Sequence, residues 1–444
     1  MTRNPDRTPT SRTGLPVAVI GAGPVGLATA ANLLERGLEP LVLEAGSQAG
    51  ASIAQWGHVR LFSPWRFNLD PASVRLLTAA GWQPPDPDAL PTGADLLGRY
   101  LRPIAALPAL AGRVHLRHRV VTVTRQGVDK VRSAGRGDLP FAVRVHTPDG
   151  EQDLLARAVI DASGTWGQPN PLGAGGVPAV GEPQASAAGW IVTGLPDILG
   201  TDRARFAGRR VLVVGAGYSA ATSLLALAEL RQNAPATEAV WAVRTPVPRL
   251  VVKGEDDELP ARGQLAAGLA SLVQRGEIEL VTGFGVNRIA ELEGGGLEVT
   301  GLVDGAQERL KADLVVAATG FRPELGIGRE LRLGLDPALE SAAALAPLID
   351  PNVHSCETVP PHGVRELAHP EPGYFTAGMK SYGRAPTFLL ATGYEQVRSV
   401  VAYLAGHHTA ADKVQLELPT TGVCSADLAT CDLGPAEQQP SGSM

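Results

Sequence analysis

The residues best placed for chemistry are glycines. Gly21, Gly23 and Gly26 fall in the run Gly21-Ala22-Gly23-Pro24-Val25-Gly26, directly after the apolar run Val17-Ala18-Val19-Ile20, and Glu44 lies 23 positions after Gly21. A turn of this kind aims free amides at the start of a helix toward one spot, which suits a pyrophosphate. Gly21 permits the tight turn, Gly23 lets the phosphates come against the backbone beside Pro24, and Gly26 lets helix and strand pack closely. Glu44 can accept hydrogen bonds from both ribose hydroxyls and would repel a 2′-phosphate, so the site fits FAD or NAD rather than NADP. The device recurs at Gly215-Ala216-Gly217-Tyr218-Ser219-Ala220, after the strand-like Arg210-Val211-Leu212-Val213-Val214. Here Gly215, Gly217 and Ser219 form the turn, Ala220 replaces the third glycine, and Arg244 closes the next strand. A cation at that tip suits a 2′-phosphate, so the expected second ligand is NADPH. Two dinucleotide sites on one chain imply hydride transfer from nicotinamide to flavin.

Further candidates lie outside the two turns. The segments Ala158 to Gly164 and Leu314 to Gly320 each run from an apolar strand into a glycine turn and then a proline, and they read as crossings between domains. Ser163, Gly164, Thr319 and Gly320 are therefore cofactor candidates. So are Gly378, which ends the strand-like Gly373-Tyr374-Phe375-Thr376-Ala377, and Gln396, near the start of a helix over Ala391 to Leu404. In the run Gln55 to Arg66, Arg60, Trp65 and Arg66 are catalytic candidates that could meet nucleotide phosphates, line the flavin face or steady an oxyanion. His58 could carry a proton near neutral pH. Lys380 could counter the charge of a reduced flavin, its bland alternative being a cap or a salt bridge to Glu395. The three cysteines, Cys356, Cys424 and Cys431, form no Cys-x-x-Cys pair, which excludes an internal dithiol relay of the usual spacing. No Ser-His-Asp or paired-carboxylate constellation is evident, and His354 with His362, or His407 with His408, lack metal-ligand spacing, so no metal is assigned.

The elements that must position these residues are βαβ units, which predict an α/β fold of two Rossmann-like dinucleotide-binding domains, the second inserted in the first. Residues 1–14 read as a disordered lead-in, 15–190 with 315–405 as the FAD-binding domain, 191–314 as the NADPH-binding domain, and 406–444 as a mobile tail. Phe141 to Leu155 alternates around Pro148-Asp149-Gly150 and predicts a hairpin, and Ile278 to Leu310 holds further short strands. With 39 basic against 45 acidic side chains and a pI near 5.9, the chain has no electrostatic footprint for nucleic acid. No apolar run reaches the ~20 residues that span a bilayer. The N-terminus lacks the apolar core of a signal peptide, and a cytoplasmic location is expected.

Over residues 15 to 405 the chain resembles the flavin-containing monooxygenases and related two-dinucleotide-binding flavoproteins, through GAGPVG, Glu44, RLFSP at 60–64, DASGTWGQPNP at 161–171, VVGAGYSA at 213–220 and ATGFRP at 318–323. That resemblance implies an FAD reduced by NADPH that reacts with O2 to a C4a-(hydro)peroxyflavin and oxygenates a small soft nucleophile. It also implies a homodimer. Where the family carries its identifying F-x-G-x-x-x-H motif, this chain keeps Gly194 but has Val192 and Ile198. The segments Gly378 to Phe388 and Leu418 to Cys424 resemble bacterial flavoproteins encoded near arsenic-resistance genes, which implies trivalent arsenicals or antimonite as substrates and Cys356, Cys424 and Cys431 as thiols to bind them. The alternative is a reductase that passes electrons to a disulfide, quinone or partner protein, with Cys424 and Cys431 as a shuttle.

Overall fold

In a computed structural model the residues described are 12, 14–246, 248, 260–353, 359–385 and 388–416. Strand β1 (Val17–Ile20) is buried along its whole length, as a short apolar run must be when its sheet is covered on both faces. It is the middle strand of a five-stranded sheet, joined by β2 (Pro40–Leu43), β3 (Val114–His115), β7 (Ala158–Asp161) and β16 (Tyr374–Thr376) in the order β16-β7-β1-β2-β3, every pair parallel. Between β3 and β7 the antiparallel strands β4 (Arg119–Arg125), β5 (Phe141–Thr147) and β6 (Gly150–Ala156) form a separate sheet, and the Pro148-Asp149-Gly150 turn joins β5 to β6.

The second five-stranded sheet has the order β11-β10-β9-β15-β8 and is also parallel. Its strands are β8 (Ile191–Thr193), β9 (Arg210–Val214), β10 (Glu238–Ala242), β11 (Glu279–Val281) and β15 (Leu314–Ala317), and the antiparallel β12 (Gly285–Glu291), β13 (Leu297–Val303) and β14 (Ala306–Ala312) lie between β11 and β15 in sequence. The chain leaves the first sheet after β7, builds the second, and returns to place β16 beside β7, so the second unit is inserted in the first.

Helices α1 (Pro24–Glu35), α2 (Tyr218–Asn233), α3 (Pro260–Gln274) and α4 (Leu390–Leu404) supply the third layer. Alternation along each strand sorts its side chains between layers. Val17, Val19 and Ile160 pack with Leu27 and Ala31 of α1 and Val397 and Val400 of α4, while Ala18, Ile20 and Val159 meet Val123, Phe141 and Val143 of the antiparallel sheet. The second unit repeats this: Val211, Val213 and Trp241 face α2 and α3, and Leu212, Val214 and Val240 face Phe284, Val286 and Val299. Among the described residues no helix is long and apolar enough to cross a membrane.

One expectation is corrected at the C-terminal end. The chain from residue 406 is not a mobile tail throughout, because a short helix, His408–Asp412, docks on α4 with Ala411 buried. The Arg398 guanidinium donates to the carbonyls of Ala410 (2.7 Å) and Lys413 (2.6 Å), and the Ser399 hydroxyl donates to that of Ala411 (2.8 Å). Residues 417–444, with Cys424 and Cys431, and residues 354–358, with Cys356, lie outside the described residues.

Candidate active site at the ends of two parallel sheets

Ligands of doubly wound sheets bind beyond the carboxyl ends of the strands, where the chain turns from strand to helix. At the end of β1, Gly21 has φ +96°, and a Cβ there would sit 2.9 Å from the Ala162 carbonyl oxygen, because β7 continues past the turn at close range. A Cβ on Gly26 would come within 1.9 Å of the Gly21 carbonyl oxygen, so helix and turn touch through backbone. Gly23 differs from both. Its φ of −79° and ψ of −172° are open to any residue, and a Cβ would meet nothing within 4 Å. Neither conformation nor packing within the chain requires glycine there, and the space in front of it is open. Pro24, first in α1, has no amide proton, which leaves Val25 and Gly26 as first-turn donors at the positive end of the helix. Glu44 accepts from the amides of Ala22 and Gly46, both at 2.7 Å, and each carboxylate oxygen keeps a second acceptor position for a ribose hydroxyl.

The other wall comes from the chain's return. Gly378 has φ +70°, and the Val25 side chain lies 3.1 Å from where its Cβ would be; a Cβ on Gly393, in the first turn of α4, would meet Val25 at 2.7 Å. The starts of α1 and α4 thus close on Gly378. Its amide donates to Gln396 Oε1 at 2.8 Å. Two residues on, Lys380 is buried and its ammonium donates to Asp161 Oδ2 (2.6 Å) and Ser163 Oγ (3.1 Å). Asp161 ends β7, and it also accepts from the amide and hydroxyl of Ser163 and from the Tyr374 hydroxyl (3.1 Å). Burial and the neighbouring Asp161 charge hold the Tyr374 phenol well above its usual range, so it stays a donor. The alternative partner considered for Lys380, Glu395, is instead held by Arg398 at 2.7 and 2.9 Å. Lys380 therefore ties the Gly378 turn to the first crossing segment.

The second sheet repeats the turn. A Cβ on Gly215 would lie 2.2 Å from the Ala318 carbonyl oxygen, whereas Gly217, with φ −90° and ψ 179°, again faces open space. Ala220 is fully buried where the first turn has Gly26, so its methyl is accommodated between helix and strand. Ser219 sits in the first turn of α2, its carbonyl accepting from Ser223 Oγ. Arg244, just past β10, is exposed and donates to the Ala174 carbonyl oxygen at 3.3 Å. The two crossings are joined to each other: the Asn170 amide donates to Gly320 O (2.9 Å), the Asn170 side chain to Thr319 O (3.0 Å), and the Thr319 hydroxyl to Asn170 O (2.7 Å). Beside them Trp166 stacks on Phe321 at 4.7 Å between ring centroids. Phe62, in the segment after the first βαβ unit, meets Tyr218, which starts α2, at 5.4 Å between ring centroids, so the first unit touches the start of the second turn's helix.

The remaining candidates divide. A face-lining role for Trp65 is corrected: its ring is only 1% exposed, packed in the core with the Arg99 guanidinium 5.7 Å from its centroid. Arg66 turns outward to an ion pair with Asp88 on the surface. Arg60 is exposed and donates to the Leu90 carbonyl oxygen at 3.0 Å. Gly164 faces open space beside Ser163. Asp161, Tyr374 and Asn170 belong to the site's framework without being singled out by sequence, and His362, which the sequence offers only as a rejected metal ligand, belongs to it too. An acid closing a buried strand could have marked Asp161; nothing local marks His362.

The family model for pyridine nucleotide-disulphide oxidoreductases matches residues 15–338. The chain belongs to the pyridine nucleotide-disulphide oxidoreductase family. As a member it is a flavoprotein oxidoreductase, an enzyme that pairs a flavin with a pyridine nucleotide. Among solved structures it is similar to the bacillithiol disulfide reductase Bdr from Bacillus cereus, at 20% identity over 88% of this chain and 99% of that one, with a TM-score of 0.64. It is similar to DfoA bound to FAD, the cadaverine monooxygenase of desferrioxamine biosynthesis from Erwinia amylovora, at 15% identity over 93% and 99% of the two chains, TM-score 0.63. It is also similar to a flavin-containing monooxygenase from Stenotrophomonas maltophilia, at 23% identity over 88% and 98%, TM-score 0.54. At these identities the likeness is one of fold. No curated protein sequence matches the chain.

Proposed function

We propose that this family member is an FAD- and NADPH-dependent monooxygenase acting on a small soft nucleophile, with trivalent arsenicals or antimonite as the first candidates. The observation that carries the cofactor assignment is the pair of glycine turns, each with its middle glycine facing open space, one followed by Glu44 and the other by Arg244. The first unit, residues 15–190 with the chain that returns after β15, would hold FAD, through Gly21, Gly23, Gly26, Glu44 and the Gly378 turn. The second unit would hold NADPH, through Gly215, Gly217, Ser219 and Arg244, and its end is corrected from 314 to include β15, which pairs between β9 and β8; Ser163, Gly164, Thr319 and Gly320 would line the passage between. When bound, FAD would supply two-electron redox chemistry between the pyridine nucleotide and O2. The protein's share is to hold the two rings within reach, exclude water and keep the Gly378 turn in place through Lys380 and Gln396. Transfer of oxygen rather than electron relay through an internal dithiol is favoured because the sequence holds no Cys-x-x-Cys pair.

A reductase that delivers electrons to a disulfide, quinone or partner protein is the second reading, favoured by the likeness to the bacillithiol disulfide reductase. Anaerobic reduction with NADPH followed by rapid mixing with 18O2 separates the two. Label in the oxidised product supports the monooxygenase; NADPH consumption with a disulfide or quinone and no label in any product overturns it. Arsenite, methylarsenite, antimonite, amines and sulfides form the substrate panel, and serine at Cys356, Cys424 and Cys431 tests the thiols, since unchanged arsenical affinity would remove them from the site. A homodimer is expected and is read by light scattering.

A further inference from the structure

We propose that His362 is a positioning residue for the FAD site, fixing the Gln396 amide as a neutral imidazole and through it the Gly378 turn. The inference rests on the reading of the first glycine turn as an FAD site, and it comes from a hydrogen-bond circuit whose every direction is determined. Gly378 N–H donates to Gln396, so the atom it meets is the amide oxygen, and the amide nitrogen must face the other way. That nitrogen lies 2.8 Å from Ser381 Oγ and 2.8 Å from His362 Nε2, one hydrogen for each. The Ser381 hydroxyl in turn donates to the Gly378 carbonyl oxygen at 2.8 Å, which closes a ring on both sides of Gly378. His362 Nε2 is therefore an acceptor, and the imidazole proton is on Nδ1, 3.0 Å from the Pro360 carbonyl oxygen.

Gly378, Gln396, Ser381 and His362 are buried, with Pro360 at the exposed end of the circuit, and no second arrangement satisfies the buried groups. An added proton on His362 Nε2 would point at the Gln396 NH2 group, donor against donor. Rotating the Gln396 amide would relieve that contact but turn its NH2 toward the Gly378 amide, donor against donor, and the Ser381 hydroxyl could meet the rotated amide oxygen only by giving up its bond to the Gly378 carbonyl. Either way the turn between the starts of α1 and α4 loses its support. The groups facing the ring are Glu366 from its own loop, Glu395 from α4 and the Tyr382 ring from the 378–382 turn at 5.5 Å. Glu366 is engaged by the Gly363 amide and Glu395 by Arg398. Burial outweighs the two carboxylates and holds the His362 pKa below its ordinary value.

The test uses the full-length, FAD-loaded protein. The dissociation constant for FAD is measured by flavin fluorescence from about pH 7.5 to about pH 5, in the wild type and in His362→Gln, whose amide oxygen can accept from Gln396 without titrating. In the wild type the constant is expected to rise about tenfold or more at the acid end, the cost of an opposed buried donor pair. In His362→Gln it should stay within about threefold of the wild type at pH 7.5 and lack the acid rise. An equal acid rise in the variant overturns the role of His362. A second measurement needs no variant: 15N-detected imidazole shifts should give the Nδ1–H tautomer for His362 at neutral pH, and an Nε2–H tautomer overturns the circuit. Failure of both proteins to bind FAD at pH 7.5 would instead overturn the reading of the glycine turn itself.

Discussion

Gly23 and Gly26 lie three positions apart in one turn, and alanine at each should fail for opposite reasons. At Gly26 the added carbon would lie 1.9 Å from the Gly21 carbonyl oxygen and 2.9 Å from its carbonyl carbon. Both atoms are main chain, so no rotamer change relieves the clash and strand and helix must separate. That places Gly26→Ala at or beyond the top of the usual overpacking range, about 3 kcal/mol or more of lost stability. At Gly23 the backbone already suits alanine and the methyl meets nothing, so the apoprotein should be unaffected or gain about 0.5–1 kcal/mol from the stiffer unfolded chain. The methyl does fill the approach to the first-turn amides. Loss of even one charge-assisted hydrogen bond costs about 1.5–3 kcal/mol, a drop of about 10- to 150-fold in FAD affinity. Urea unfolding of the two apoproteins and FAD titration followed at the flavin absorbance give both quantities. A Gly23→Ala protein that retains FAD with wild-type affinity would refute the idea that a phosphate occupies that space, whatever happens at Gly26.

Gly217→Ala should likewise fold and keep FAD, while NADPH reduces that flavin at least about tenfold less efficiently, as measured by stopped flow. Arg244→Ala should raise KM for NADPH on the order of 10- to 100-fold and leave KM for NADH nearly unchanged; equal effects on both would mean the 2′-phosphate is bound elsewhere. Lys380→Met leaves the Asp161 carboxylate buried without its ammonium and should cost about 3–5 kcal/mol, much of it recovered in Lys380→Met/Asp161→Asn, with urea midpoints as the readout. Asp70, which caps the helix Pro71–Ala79 through the Ser73 amide, is pushed up from 3.8 to about 6 by burial, only partly offset by hydrogen bonds from Ser73 and Asn32. The folded state then binds the proton more tightly than the unfolded state. This group's contribution is fully present below about pH 4 and is lost as pH rises to about 6, by about 3 kcal/mol in all. Comparing Asp70→Asn with wild type by urea unfolding at either end of that window should show the variant gaining relative stability at the higher pH; no change in the difference would sink the assignment.

The two glycine turns and the parallel strands were legible because they are local: a continuous apolar run such as Val17–Ile20 announces a strand covered on both faces, and a glycine pattern between strand and helix has few other uses. The order of strands was less legible, since β16 reaches its place beside β7 only after the whole second unit. Side-chain roles were the least legible. An arginine–tryptophan run such as Trp65-Arg66 looks alike whether it faces a ligand or the core, and only the packing of Arg99 on Trp65 decides it. Lys380 reads from sequence as a counter-charge to flavin or a partner of Glu395, because its actual partner Asp161 is 219 residues away. His362 and Gln396 are 34 residues apart, and no periodicity links them.

The placement of β16 beside β7 sets a schedule for biosynthesis. Tyr374 and Asp161 are 213 residues apart, so at 5–20 residues added per second the ribosome delivers the outer strand about 10–40 s after the strand it must join. Through that interval the apolar Ala158–Asp161 segment is an open edge on an unfinished sheet, the kind of surface that recruits neighbouring chains or chaperones. Yield in a heterologous host should therefore depend on translation speed through the second unit more than on the stability of the finished enzyme.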